Sequence, residues 1–310
     1  MVMDFLDRLM KRILVVGAGI QGLITAIRQH LRGNQVFIME KRKRIGGRGT
    51  SQESHGYQIE HGPHLLMKGG EFHKMVRKIS KVRPSLRPIR PNKIMIIGHG
   101  ILYPSNSPKE LLNLKMGNDP IRENALKLIS AWGAEIPERR SALLNGKLCV
   151  VGEGWIGLIG RLAAALEEVG VPIQSGMEVA KEIEGGVITS EGVKIEADQV
   201  KWCDGKLENN AVKVSTLDLI LDYKPLKGLH GIIKDKIAII NISEIHPQRG
   251  KEITHLSCIN LNANITEIEA LLDERVSGWR SHIITKLENK KIVLSDESGL
   301  LSDGIISRTS

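Results

Sequence analysis

Aromatic side chains are scarce in this chain: three Tyr, three Phe and four Trp among 310 residues. That scarcity removes the stacking platforms on which single-stranded nucleic acids are held, and no nucleic-acid-binding motif takes their place. It also argues against an aromatic cage for an amine substrate. Cysteine is nearly missing. Cys149, Cys203 and Cys258 are odd in number and widely spaced, which gives neither a disulfide framework nor a metal site and suits a reducing cytoplasm. Each reads as a small buried apolar residue rather than a nucleophile. The ten histidines show no His-Glu-x-x-His spacing, so no metal is expected. No run of about 18 apolar residues occurs, so no spanning helix is expected. The N-terminus lacks the apolar core of a secretory signal, and residues 1–9 read as a short extension ahead of a natural domain start at Met10.

Acid is also missing where it would balance base. Net charge is +9, from 44 basic and 35 acidic residues. Lys74, Arg77, Lys78, Lys81, Arg83, Arg87, Arg90, Lys93 and Lys109 follow His73 without one intervening acid. Such a stretch is either a solvated face or an attraction for an anionic substrate or membrane surface.

What the chain does have is concentrated near its start. Residues 13–22 read Ile-Leu-Val-Val-Gly-Ala-Gly-Ile-Gln-Gly, and a second apolar run, Gln35-Val-Phe-Ile-Met-Glu40, ends in an acid. Strand, glycine turn, helix and strand ending in a carboxylate form the fingerprint of a dinucleotide-binding βαβ unit. Gly17 allows the tight turn, Gly19 lets the backbone approach a pyrophosphate, and Gly22 lets the helix pack on the sheet. The N–H groups at Ile20, Gln21 and Gly22 open the helix toward the phosphates. Glu40 sits where it can accept from ribose hydroxyls and repel a 2′-phosphate. The basic run Lys41–Arg44 beside it reads as solvent-exposed. A second turn, Gly152-x-Gly154-x-x-Gly157, is not a second such site, because the next strand ends in Gln174-Ser175 without an acid.

Downstream of Glu40 come Lys41, then Gly46-Gly47-Arg48, then Glu60-His-Gly62-Pro63-His64. With the fingerprint, this set resembles the flavin-dependent amine oxidase, protoporphyrinogen oxidase and phytoene desaturase superfamily. The resemblance implies an α/β fold: a Rossmann-like FAD-binding domain with a discontinuous α+β substrate domain. It implies FAD as the cofactor, with Gly46, Gly47 and Arg48 wrapping its phosphates and ribityl chain, and Gly62, Pro63 and His64 passing beside the flavin ring. By the same resemblance Val179 holds the adenine through its backbone. Asp296, at the end of the run Lys291-Ile-Val-Leu-Ser295, bonds the ribityl chain, with Ser295 where the superfamily has glycine. The implied cofactor-binding set is Gly17, Gly19, Ile20, Gln21, Gly22, Glu40, Lys41, Gly46, Gly47, Arg48, Gly62, Pro63, His64, Val179 and Asp296. No catalytic residue is assigned; His64 is the candidate nearest the ring by motif position.

The same comparison divides the chain into residues 1–70, 150–205 and 285–310 for the cofactor domain, and 71–149 and 206–284 for the substrate domain. Helices are expected over 71–81, 120–132, 158–168 and 266–276, and a hairpin from Lys93 to Tyr103. The alternating strands of 211–262 are expected to form a sheet with one covered face, the wall of a substrate cavity. The implied activity is hydride transfer from an apolar or anionic small molecule to flavin. Two alternatives are a non-catalytic scaffold binding a partner or lipid, and a nicotinamide-dependent dehydrogenase.

Overall fold

The computed structural model describes residues 10–60, 65–79, 83–102, 120–131, 143–204, 212–249, 252–295 and 307–308. The chain divides into two compact units: Met1–Thr50, Glu71–Arg83 and Ile156–Leu207 form the first, and Ser51–Gly70, Pro84–Trp155 and Glu208–Ser310 the second.

The first unit grows from the N-terminal apolar run. Strand β1 (Arg12–Val16) buries every residue except Arg12, as a strand covered on both faces must. Helix α1 (Ile20–His30) buries Gly22, Leu23, Ala26 and Ile27, a stripe at helical spacing. Its last turn holds Arg28, whose charge suits the negative end of the helix dipole. Gly33, at a φ of 81°, then turns the chain into β2 (Gln35–Glu40). β2 runs parallel to β1, with Ile13 beside Val36 and Val16 beside Met39. Strands β10 (Ile173–Ser175) and β14 (Gln199–Trp202) flank this pair in parallel, in the order β10-β2-β1-β14. Helix α2 (Glu71–Ile79) packs on α1, and most of α4 (Gly154–Glu168) belongs to the same unit. An antiparallel sheet of β11 (Val179–Ile183), β12 (Gly186–Thr189) and β13 (Lys194–Glu196) completes it.

The second unit is built on an eight-stranded sheet. Its order is β20 (Ser307–Arg308), β19 (Ile283–Ser295), β15 (Val212–Leu221), β18 (Thr254–Asn260), β17 (Ile237–Asn241), β16 (Gly231–Lys234), β7 (Ile94–Ile96) and β8 (Gly100–Ile101). All pairs are antiparallel except β16 with β7. Leu217, Leu219, Leu256 and Cys258 pack on one face against Ile268, Leu271 and Leu272 of α6 (Ile265–Arg275) and Trp279. Val214, Ala238, Ile240 and Ile259 pack on the other against Leu126 and Ile129 of α3 (Pro120–Ala131) and Leu143. Strands β5 (Leu65–Met67), β9 (Leu148–Val151) and β6 (Leu86–Pro88) form a small antiparallel sheet, and β3 (Ser51–Ser54) pairs with β4 (Tyr57–Glu60). Helix α5 (Ile242–Ile245) is a single turn capped by the Asn241 side chain.

Two expectations are corrected. Both faces of the large sheet carry hydrophobic clusters, and every residue of β17 and β18 is buried, so the sheet is not a one-sided wall. The strand leading to Ser295 does not join the parallel sheet: β19 pairs antiparallel with β15 along almost its whole length. That long register outweighs the short apolar motif read from sequence, and it places 283–295 in the second unit. Residues 51–70 also belong to the second unit and 71–83 to the first. Asp296, His61, Gly62, Pro63 and His64 lie outside the described residues, as does the Tyr103 end of the expected hairpin.

Candidate functional site

The fingerprint residues meet in the first unit. Gly17, at a φ of 105°, donates its N–H to Met39 O at 2.7 Å. A β-carbon there would stand 2.5 Å from the Cys203 carbonyl oxygen. At Gly22 a β-carbon would fall 1.8 Å from Gly17 O, so only glycine lets α1 lie this close to the turn. Gly19 precedes the helix in an extended conformation. No side chain caps α1, and its first turn carries no acid. The helix therefore opens on N–H groups at Ile20, Gln21 and Gly22, with no internal carboxylate competing for them.

The second glycine turn closes against the first. Gly19 and Gly46 form a parallel bridge, and Gly46 donates to Ala18 O at 2.9 Å. Gly46 is left-handed and begins a short 3-10 turn, Gly47–Gly49. A β-carbon on Gly47 would come 3.1 Å from Gly19 Cα, and one on Gly49 would strike the Ile159 side chain of α4 at 2.6 Å. The backbone of Arg48 lies within this turn. Two separate glycine turns thus make one surface of bare backbone, a cradle that side chains would fill.

Glu40 braces that cradle from below. Its side chain is buried, accepting from Ala18 N–H at 2.8 Å and from Arg42 N–H at 2.9 Å. Each carboxylate oxygen keeps a further lone pair for a ribose hydroxyl. Met177 N–H donates to Glu40 O and Gly176 N–H to Arg42 O, which draws the chain leading to Val179 alongside the end of β2. Val179 itself packs with Leu14, Val16 and Met39. Lys41 to Arg44 are exposed. The structure therefore brings together Gly17 to Gly22, Glu40, Gly46 to Gly49 and the Val179 strand. Their donor set and bare backbone fit a dinucleotide pyrophosphate and an adenosine ribose.

The turn rejected as a second site is already filled by this chain. Within the second unit, Trp155 N–H at the start of α4 donates to Glu60 Oε1. Glu60 Oε2 accepts from Arg249 Nη1 at 3.2 Å, and both side chains are 7% exposed. A β-carbon on Gly154 would meet Arg249 and Glu60 at 2.6 and 2.7 Å. This carboxylate takes the place an anion would occupy. Sequence reading placed Glu60 in a motif without a partner; Arg249, 189 residues later, carried no signal that could have revealed it.

A second buried polar group lies on the large sheet. Ser257 Oγ donates to Asp218 Oδ1 at 2.5 Å, and His255 Nε2 stands 3.8 Å from the same oxygen. Burial pushes the Asp218 carboxyl above its ordinary range despite His255 and Ser257, and the charge of Glu60 adds to the effect. His230 is pulled down to about 3, first by burial and then by Lys93 and Arg90, and its Nδ1 accepts from Arg90 N–H at 3.0 Å. All three thiols are pushed up by burial, Cys149 to about 11, which leaves them protonated and unreactive at neutral pH. Lys74, Arg77 and Lys78 lie exposed on α2, and Arg87 and Arg90 are exposed in the second unit.

Residues 15–79 match the family of NAD(P)-binding Rossmann-like domains. Over 56 residues the chain is 41% identical to a 4,4'-diapolycopen-4-al dehydrogenase of Metabacillus indicus, and over 61 residues 38% identical to a phytoene desaturase of Cercospora nicotianae. These segments are 18% and 20% of this chain, and 11% and 10% of those relatives. Across 90% of the chain the fold matches 88% of a Pyrococcus furiosus protein, at a TM-score of 0.67 and 17% identity. A putrescine oxidase variant matches at 0.62 and 15% identity, over 90% of this chain and 84% of the other. A RAB GDI from Plasmodium falciparum matches at 0.59 and 11% identity, over 91% and 89%. Residues 15–79 thus match an NAD(P)-binding Rossmann-like domain, and the chain as a whole shares the fold of the Pyrococcus furiosus protein and of putrescine oxidase.

Proposed function

We propose that the first unit binds FAD and that the protein is a flavin-dependent oxidoreductase acting on an apolar or anionic small molecule. The observation that carries this reading is the closure of two glycine turns on each other above a buried Glu40. A nicotinamide site needs the first turn alone; the second extends the bare backbone surface, as a longer cofactor requires. In this reading the uncapped N-terminus of α1 holds the pyrophosphate, Glu40 accepts from the adenosine ribose, and the Gly46–Gly49 turn excludes side chains from the phosphates. The backbone at Val179 faces the adenine, and Arg48 serves the second turn. Gly62, Pro63, His64 and Asp296 complete the set by resemblance. Bound flavin would supply the redox chemistry, accepting a hydride from a substrate C–H bond. No protein acid or base is needed for that transfer, and His64 remains a candidate for a group beside the ring. The few aromatic residues disfavour an amine substrate. Exposed Lys74, Arg77 and Lys78 suit an anionic substrate or an anionic membrane surface. Among the described residues no helix is long and apolar enough to cross a membrane.

A non-catalytic scaffold is the second reading. It is favoured by the likeness to a RAB GDI and by the strand before Asp296, which is committed to the eight-stranded sheet. One experiment separates the two. The purified protein, with and without added FAD, should show absorption maxima near ~375 and ~450 nm that remain after gel filtration, as a held redox flavin requires. A colourless protein that retains no added FAD but takes up NAD would mean a nicotinamide-dependent enzyme. One retaining neither dinucleotide would be a scaffold.

A further inference from the structure

We infer that Glu60 and Arg249 are a positioning pair that fixes the end of β4 to the β9–α4 turn; the clamp rests on geometry and stands apart from the FAD reading above. Glu60 is the last residue of β4. Its two carboxylate oxygens are taken by partners from two other parts of the second unit, Trp155 N–H at the opening of α4 and the Arg249 guanidinium. Arg249 Nη1 also reaches Val151 O at 3.5 Å, the last residue of β9. One buried carboxylate therefore ties together the exit of β4, the β9–α4 turn and the Pro247–Arg249 turn.

A helix cap alone does not require this arrangement. An asparagine or serine next to the helix would satisfy the Trp155 N–H locally. Here the acceptor comes from 95 residues away, brings a full charge into a site 7% exposed, and needs a buried guanidinium to balance it. Gly154 must be left-handed, at a φ of 71°, with no β-carbon, to leave room for both groups. Ion pairs held so deeply contribute little net stability over apolar packing, but they allow one geometry only. Burial is the main cause that raises the Asp218 carboxyl above its ordinary range, and the charge of Glu60 adds to it.

The test uses the full-length chain without cofactor, comparing wild type with Glu60→Gln, Glu60→Ala and Arg249→Lys by amide hydrogen exchange and thermal melting. Glutamine keeps an acceptor for Trp155 N–H but loses the charge that anchors Arg249. If the pair positions the chain, exchange of peptides covering β4 and β5 rises at least tenfold in all three variants, while peptides covering β1 and α1 keep wild-type exchange. Glu60→Ala adds faster exchange at the start of α4, which Glu60→Gln spares. If the variants melt earlier but β4 and β5 exchange as in wild type, Glu60 is only a helix cap and the inference fails. Should Glu60→Ala not fold, the other two decide the matter. The FAD reading is checked separately. A wild type that binds no FAD removes the flavin role of His64 but leaves the exchange result standing.

Discussion

At the scale of single residues, this structure is decided by β-carbons that are not there. Gly22 has the least room, 1.8 Å from Gly17 O, and the glycine turn and α1 could not both keep their places with alanine. Gly22→Ala should therefore cost more than about 3 kcal/mol, the range of severe overpacking, and should abolish dinucleotide retention. Urea unfolding and gel filtration with FAD would measure the two effects. A variant that retained FAD with wild-type stability would show that the turn is laxer than its geometry. The glycines of the fingerprint were legible because their spacing encodes their conformations. Glu40 was legible for the same reason, although the structure adds that it braces Ala18 and Arg42.

At the scale of elements, α4 shows how the same residue type serves opposite ends. Gly154 begins it with a φ of 71° and Glu60 and Arg249 within 3 Å of its missing β-carbon, whereas Gly160 lies exposed with nothing within 4 Å. Gly154→Ala should destabilise by about 2 kcal/mol through backbone strain and collision. Gly160→Ala should stabilise by about 0.5–1 kcal/mol, since helical alanine loses less chain entropy. Paired thermal melts of the two variants check the opposite signs. Sequence periodicity found the body of this helix at 158–168 but not its opening, which runs from Gly154. A helix whose cap comes from a distant carboxylate leaves no local start signal. The alternating strands of 211–262 were recognisable as strands, yet their pattern did not tell that both faces would be covered.

At the scale of the whole molecule, stability should depend on acid through two buried groups of opposite sign. His230 has its native pKa lowered from 6.5 to about 3. It therefore contributes stability above pH 6.5 that is lost as pH falls toward 3, at up to about 1.4 kcal/mol per pH unit for the one proton involved. Asp218 has its native pKa raised from 3.8. Its contribution is complete below 3.8 and is lost as pH rises through the native value. Between pH 6.5 and 4 wild type should lose stability less steeply than His230 alone would dictate. His230→Gln should flatten that limb or reverse its slope, as read by urea midpoints at several pH values. An unchanged acid limb in the variant would mean that His230 does not set it.

The sequence by itself determined the dinucleotide cradle and the α/β class. The residues from Ile13 to Arg48 are close along the chain, so backbone conformation, helix dipole and strand register follow from local composition alone. Composition likewise set the expectations about partners: scarce aromatics, few cysteines and a basic stretch without acids are properties that folding does not alter. Only the tertiary structure decided where Glu60 finds its counter-charge, which sheet receives 283–295 and which carboxyl is pushed above its ordinary range. Each of these depends on groups far apart in the chain that desolvate one another, and desolvation is set by packing in space rather than by spacing in sequence.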